Sequence, residues 1–409
     1  MIKKFFQGTN GRNVVVGLQH LFVMFGATVL VPLLTGLDIG VALFTAGVGT
    51  IIFHIATKFK VPVYLGSSFA FIPAIIAISK MSGGSLPMAL GGIVIAGFFY
   101  VIVAILIRYA VPVSFFHKLF PAHVTGPIII LIGLMLAPVA ISNANQNWLI
   151  AGFTFLAAAG YKAFFERKGY KFLSMLPVLA GIILGYIFAA ILGKVDFTPI
   201  HKAAIIGFPN FTFPVFNWTA ISIAAPVAIV TMIEHFGDVL AIGNVVGKDF
   251  FEDPGIHRTL MGDGIATSFA ALIGGPANTT YSENTGAVAI TKNYSPVVMR
   301  WAAIFAIILA FVPKLSAAIS TIPAPVIGGI SILLFGTIAS VGIKNMIDAK
   351  VDILDPNKLF VVVAMLVLGV GGAKLTIGSF EFSGLGLAAV SGIILNLILN
   401  WKTFKKAAS

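Results

Sequence analysis

The sequence contains no cysteine, which excludes disulfide bridges and thiolate metal sites and leaves the compartment unreadable from redox chemistry. Charge is scarce too: 10% of the 409 residues are Asp, Glu, Lys or Arg, against about 25% in ordinary soluble domains. Also missing are a His-Glu-x-x-His zinc helix, a Gly-x-x-x-x-Gly-Lys-Ser/Thr phosphate loop and a Gly-x-Ser-x-Gly nucleophile turn. These absences disfavour a soluble enzyme and ATP-driven transport, and no metal or organic cofactor is expected. What is present is apolar. The chain is 58% hydrophobic with a mean hydropathy of +1.03, in runs close to the ~20 residues that cross a bilayer.

Hydropathy divides the chain into about fourteen spans, the first near 14–34 and the last near 382–401. The opening Met1-Ile-Lys-Lys-Phe-Phe is expected to lead into a retained first span, because no small-residue cleavage pattern follows. The net charge of +12 is sorted by side. With both termini cytoplasmic, every Lys and Arg falls inside except Lys80, Lys194, Lys202, Lys314 and Lys374. The basic ends, Lys3, Lys4 and Arg12 against Lys402, Lys405 and Lys406, call for an even number of spans. A nucleic-acid footprint would gather charge on one continuous face, so the expected partner is the lipid bilayer and not nucleic acid. The expectation is an all-α polytopic protein of the cell (inner) membrane.

Two spans differ from the rest. The third, near 61–79, opens Val61-Pro-Val-Tyr-Leu-Gly-Ser-Ser-Phe-Ala70, and the tenth, near 276–292, opens Gly275-Pro-Ala-Asn-Thr-Thr-Tyr-Ser-Glu-Asn284. Each begins at a proline, runs through β-favouring residues and passes small ones into a helix-compatible stretch. Pro62 and Pro276 are 214 residues apart, so each break lies third in a half of seven spans. An odd number per half means opposite insertion, the inverted-repeat plan in which paired broken segments point to the binding site. Non-helical backbone at membrane depth must be buried in protein or line a cavity, so the two pieces are expected to pair as short antiparallel strands. Each half-helix then starts near the midplane with free N–H groups and a positive dipole end. A pair of proline-kinked helices is the plainer alternative.

Four acids sit in or against the spans: Glu234, Asp238, Asp263 and Glu283. Each costs ~3 kcal/mol at a helix centre on insertion scales, so each is expected to have a task. Glu234 and Asp238 are four apart in the eighth span and share a helical face; like charges there repel, and at least one is expected to change protonation during a cycle. A carboxylate neutralised by a basic partner is the alternative, and a sodium ion among three acids another. His235 points roughly 100° away from Glu234 around the helix, which favours a structural hydrogen bond. His20 in the first span fits a structural or a functional role equally, and Asp263 is expected to cap or brace the ninth span. Carboxylates at 234 and 283 accept N–H bonds, while the starts at Ser67-Ser68-Phe69 and Tyr281-Ser282-Glu283 donate to a carbonyl or an anion. Phe69 and Tyr281 add flat faces. A pyrimidine dione or an oxopurine matches, although composition alone does not select it over an amino acid or an inorganic anion.

On these residues the chain resembles the nucleobase/ascorbate transporter family (nucleobase:cation symporter-2) and, over nearly its whole length, looks like the bacterial uracil permeases within it. The family signature, Gln/Glu/Pro-Asn-x-Gly-x4-Thr-Arg/Lys/Gly, reads Glu283-Asn284-Thr-Gly286-Ala-Val-Ala-Ile-Thr291-Lys292. Gln19-His20 matches the first-span pair, Tyr64-Leu-Gly-Ser-Ser-Phe-Ala-Phe71 the third-span break and Glu234-His-Phe-Gly-Asp238 the eighth-span acidic motif. The resemblance implies a core of segments 1–4 (residues 1–107) and 8–11 (203–320), and a gate of segments 5–7 (108–202) and 12–14 (321–409). It also implies a homodimer through the gate, and proton-coupled import of uracil by alternating access with no cofactor beyond the proton.

Carried over residue by residue, Glu234 and Glu283 bind the base, the backbone N–H groups of Phe69 and Ser282 meet its carbonyls, and Ala27 lies on the first-span wall. Glu234, Asp238 and Glu283 then carry the proton coupling, with Gln19, His20, Ser68, Asn284, His235 and Asp263 in support. Two departures stand out. Asp238 occupies a position where some uracil permeases have histidine, and Phe335, in Leu333-Leu-Phe-Gly336, that of a gate tyrosine, where its ring is expected to close over the base. Glutamate at 283 favours uracil over xanthine or urate. A purine-base symporter of the same family, or an anion exchanger or channel on the same repeat, are the alternatives.

Overall fold

Where lipid replaces water, a chain must satisfy its own backbone polar groups, and the protein does so mainly as helix. The computed structural model describes residues 2–110, 118–377 and 380–400, so the basic end at Lys402, Lys405 and Lys406 lies outside the described residues. The first half runs α1 (Gly11–Thr35), α2 (Ile39–Ala56), β1 (Leu65–Ser67), α3 (Ile72–Lys80), α4 (Leu86–Tyr109), α5 (Ala122–Ala144), α6 (Trp148–Arg167) and α7 (Pro177–Ile191). The second runs α8 (Val227–Val246), α9 (Ile256–Leu272), β2 (Asn278–Thr280), α10 (Ser282–Thr291), α11 (Val297–Ala310), α12 (Ala324–Asp348) and α13 (Pro356–Val370). A hairpin of β3 (Lys374–Ile377) and β4 (Phe380–Ser383) and then α14 (Gly384–Leu399) complete it.

Among the described residues seven helices are long and apolar enough to cross a membrane: α1, α2, α4, α5, α6, α12, and α8 together with the short helix Trp218–Ala224 before it. The bent pair of α11 and Pro313–Ser320, 83° apart, makes an eighth, while Phe69–Lys80, α7, α13 and α14 are shorter apolar helices. Polar residues set the starts. Asn10 accepts from Asn13 N and Asp38 from Val41 N, both at 2.8 Å, which supplies an acceptor to a first-turn N–H that has none within the helix.

Packing is organised in pairs: α4 lies along α9, α11 along α2, α5 along α12, α6 beside α7 and α13 beside α14. Lipid offers no hydrophobic drive between helices, so small residues that permit close approach decide these contacts. A Cβ on Gly97 of α4 would stand 2.6 Å from Gly264 O of α9, and one on Gly342 of α12 2.6 Å from Gly126 O of α5.

The two irregular stretches meet between these pairs. β1 runs antiparallel to β2, with Leu65 opposite Thr280 and Ser67 opposite Asn278. Ser68 N donates to Ala277 O (2.8 Å) and Tyr281 N to Tyr64 O (3.0 Å) at the two ends of the ladder. Side chains of neighbouring helices take the outer edges. Thr50 of α2 accepts from Leu65 N (2.9 Å) and donates to Leu65 O (3.3 Å), Thr267 of α9 donates to Asn278 O (2.8 Å), and Asn278 Nδ2 donates to Thr45 O (3.0 Å). A two-stranded ladder with open edges would leave backbone groups unpaired at this depth; these side chains remove that cost.

Candidate functional site

Both half-helices start without a side-chain cap: the turn Phe69–Phe71 that leads into α3 follows Ser68, and α10 follows Tyr281. First-turn N–H groups therefore remain available, together with the positive end of each helix dipole. A cavity of about 840 Å³ lies against both starts, within the ~300–1,000 Å³ usual for small-molecule sites. Its walls include Phe69, Ser282 and Glu283 from the breaks, Glu234 and Asp238 from α8, Val23 and Ala27 from α1, and Leu333, Leu334 and Thr337 from α12.

The structure thus brings Glu234, Asp238, Glu283, Phe69, Ser282 and Ala27 to one space. Glu234 and Glu283 are half-buried. Among the described residues no Lys or Arg forms an ion pair with Glu234, Asp238 or Glu283, and no group of three or more His, Cys, Asp or Glu is placed to hold a metal ion. Asp238 is 7% exposed. Its Oδ2 accepts from Thr280 Oγ1 at 2.6 Å and its Oδ1 from Ser282 Oγ at 2.5 Å, distances typical of charge-assisted O–H···O bonds. Asp238 therefore fastens α8 to both sides of the break that precedes α10.

Two aromatic expectations need correction. Tyr281 borders the cavity, but it is 3% exposed and its hydroxyl is turned inward. It donates to Ser67 O (3.0 Å) and accepts from Thr28 Oγ1 (3.3 Å). A buried phenol needs a partner for its O–H, and that partner is the opposite strand, so the ring locks the two breaks together instead of offering a face to a ligand. Phe335, likewise 3% exposed, is absent from the cavity walls and stands edge-on to Phe69, with centroids 6.1 Å apart and planes at 75°. It supports the aromatic wall from behind.

The supporting residues do not border the cavity, and four of them, His20, Asn284, His235 and Asp263, brace helices. Asn284 Nδ2 donates to His20 Nδ1 (3.1 Å) and His20 O (3.2 Å), tying α10 to α1. His235 lies 3.0 Å from Thr259 Oγ1 through Nε2, and its Nδ1 is 3.0 Å from Asp263 Oδ2. Asp263 is thus a mid-helix brace of α9 against α8 and not a cap. Ser68 is fully buried with its N–H used in the ladder, and Gln19 is only half-buried.

Thr280, which completes the pair of hydroxyls on Asp238, is absent from the residues expected at the site. The signal exists: in extended backbone, residues two apart share a face, so Thr280 and Ser282 can reach one carboxylate. Lys162, Lys344 and Asp348 also line the cavity, away from the breaks, and nothing local to their sequence marks them.

The Permease family model matches residues 11–378. The chain is 45% identical over 407 residues to the uracil permease of Bacillus caldolyticus, covering 96% of this chain and 93% of that protein. It is 44% identical over 402 residues to the uracil permease of Bacillus subtilis (strain 168), covering 93% and 91%. Identity to the uracil permease of Escherichia coli (strain K12) is 39% over 397 residues, covering 95% and 91%. Among solved structures the fold is similar to SLC26A9 (TM-score 0.72, 12% identity), where it covers 95% of this chain and spans 64% of that one. It is also similar to the transmembrane domain of the cyanobacterial bicarbonate transporter BicA (TM-score 0.61, 16% identity, covering 95% and 96%). At these identities the structural likeness shows the fold alone.

Proposed function

The chain belongs to the Permease family, the nucleobase/ascorbate transporters, and we propose that this multi-pass membrane protein is a uracil permease that imports the base with a proton by alternating access. It is a transporter and not an enzyme. The observation that carries the reading is the convergence of two uncapped half-helix starts and two glutamates on one cavity. Uracil alternates N–H and C=O groups around a flat ring. Glu234 and Glu283 accept from its N–H groups, the N–H groups of Phe69 and Ser282 donate to its carbonyls, and Phe69 packs on the ring. Two glutamates facing the ligand oppose an inorganic anion, and Glu283 in place of glutamine favours uracil over a purine base.

The finer architecture belongs to the same reading. Adding α9, α10, the bent pair of α11 and the four shorter helices to the seven long ones makes fourteen segments. Contacts that exchange under a shift of 213 residues support two inverted repeats: Ser68 N on Ala277 O becomes Tyr281 N on Tyr64 O. Under the same shift Leu65 becomes Asn278, and each carbonyl accepts from a threonine of a neighbouring helix, Thr50 and Thr267, which are 217 residues apart; α4 on α9 is matched by α11 on α2. Packing within 1–107 and 203–320 supports a core, and within 108–202 and 321–409 a gate, through which two copies pair. With both termini cytoplasmic, Lys162 and Lys344 mark an inward-open mouth in the cell membrane.

Coupling runs through Glu234, Asp238 and Glu283, which share the cavity and, among the described residues, form no ion pair with a Lys or Arg. In proteoliposomes in sodium-free buffer, labelled uracil is expected to accumulate under an inward proton gradient and to leak out when a protonophore is added. Accumulation that needs sodium, or that is equal without any gradient, would reject proton symport, and displacement of label by purine bases but not by uracil would favour the purine reading. The aromatic pair gives a second expectation. Losing its edge-on contact costs about 0.5–1.5 kcal/mol, so Phe335→Ala should weaken uracil binding about two- to tenfold by freeing the Phe69 ring, as calorimetry on the purified variant can check.

A further inference from the structure

Ser282 faces two ways. It is exposed to the cavity, yet its hydroxyl is spent on the acid behind it, 2.5 Å from Asp238 Oδ1. Thr280, which holds the other oxygen at 2.6 Å, is 2% exposed and stays where it is. An ionised carboxylate only accepts, and both of its oxygens are engaged here by O–H donors. A carboxylic acid carries its own O–H. If the proton arrives on Oδ1, that oxygen becomes a donor, Ser282 Oγ becomes its acceptor, and the Ser282 O–H must find another acceptor. The open side is the cavity, between the N–H groups at the start of α10 and Glu283.

We propose that the Ser282 hydroxyl is a proton-gated substrate donor: ionised Asp238 holds it back, and protonated Asp238 hands it to a carbonyl of the bound base. This rests on the uracil-permease reading and adds to it the route by which a proton on α8 is felt at the ligand. No charge crosses the gap. The proton stays on Asp238 Oδ1, and the chain Asp238 O–H to Ser282 Oγ, then Ser282 O–H to carbonyl, aligns two hydrogen bonds that polarise one another.

The titratable groups around α8 leave this role to Asp238. Glu234 lies one turn away on the same helix and Glu283 across the cavity, both toward the substrate. His235 is turned to Asp263 of α9 and to Thr259. Tyr100 of α4 is fully buried, Arg258 of α9 donates to Ala56 O, and His123 of α5 is bonded to Asn396 of α14. None of these bonds reaches the Ser282 hydroxyl.

The test is uracil binding to the purified full chain between about pH 8 and about pH 5.5, where buried, coupled carboxylates can titrate. The quantity read is the ratio of affinities at the two ends, in which any pH-independent loss cancels. Wild type is expected to tighten about two- to tenfold on acidification, the worth of one added hydrogen bond. Ser282→Ala and Asp238→Asn should bring the ratio near one, and Ser282→Thr, which keeps the hydroxyl, should retain it. Of 2-thiouracil and 4-thiouracil, whose sulfur accepts weakly, one should lose the gain in wild type and so identify the carbonyl. A wild-type ratio kept in Ser282→Ala, or an equal gain for uracil and both thio analogues, overturns the proposal while leaving the permease reading intact. Absence of uracil binding to wild type at any pH overturns both.

Discussion

Glu283→Gln is expected to weaken uracil binding about ten- to a hundredfold. The Glu283 carboxylate borders the cavity in the first turn of α10, where its oxygens can accept from an N–H of the base and from the uncapped N–H groups of that turn. An amide has one accepting oxygen and must turn its NH2 toward one of those donors. A buried donor facing a donor costs about 1–3 kcal/mol, which is about one to two decades in affinity. Glu234→Gln should act similarly, since its carboxylate lines the same cavity and has no other acceptor task among the described bonds. Calorimetric titration of the purified, folded variants measures both. Unchanged affinity in either removes that residue from the substrate contact.

Gly66→Ala is expected to abolish transport. Gly66 is the middle residue of β1, opposite Thr279, and a Cβ there would fall on the ring of Tyr281. The strand is held by its ladder and by Thr50, so the backbone has little freedom to retreat. Overpacking of this kind costs about 1–3 kcal/mol or more. If instead the ring moves, Tyr281 loses its bonds to Ser67 O and Thr28, and the start of α10 loses the contact that sets its position. Ser282 and Glu283 follow directly, so the loss should appear in binding as well as uptake. The double variant Gly66→Ala with Tyr281→Ala should be less damaging than the two single effects added, because the clash then has no partner. Strict additivity would show that the two residues act separately and that the ring does not lock the breaks.

Much of this site was readable along the chain, because its elements are local. Proline, small residues and a β-favouring run mark each break by themselves. The fourfold spacing of Glu234 and Asp238 fixes a shared face on any helix, and Glu283 stands in the first turn after its break wherever that turn lies. What could not be read is the direction of side chains whose partners are distant in sequence. Tyr281 and Phe69 are both aromatics beside a break on the cavity wall, yet Tyr281 turns its hydroxyl inward to a carbonyl on the opposite strand, while the Phe69 ring has no polar atom to bury. Phe335 lies in α12, which packs along α5, and that packing puts its ring behind Phe69 instead of over the ligand.

Hydropathy, proline and helical period act over a few residues, so an apolar helical membrane protein with two proline-marked irregular stretches, and the positions of its acids, are legible along the chain. Packing between segments sets which hydroxyls meet Asp238, which histidine takes which brace, and the register of β1 on β2. Each of these is a contact between separate segments, from 24 residues apart for His235 and Thr259 to 264 for His20 and Asn284. Hydrogen bonds of about 3 Å need relative placement that spacing along the chain does not contain.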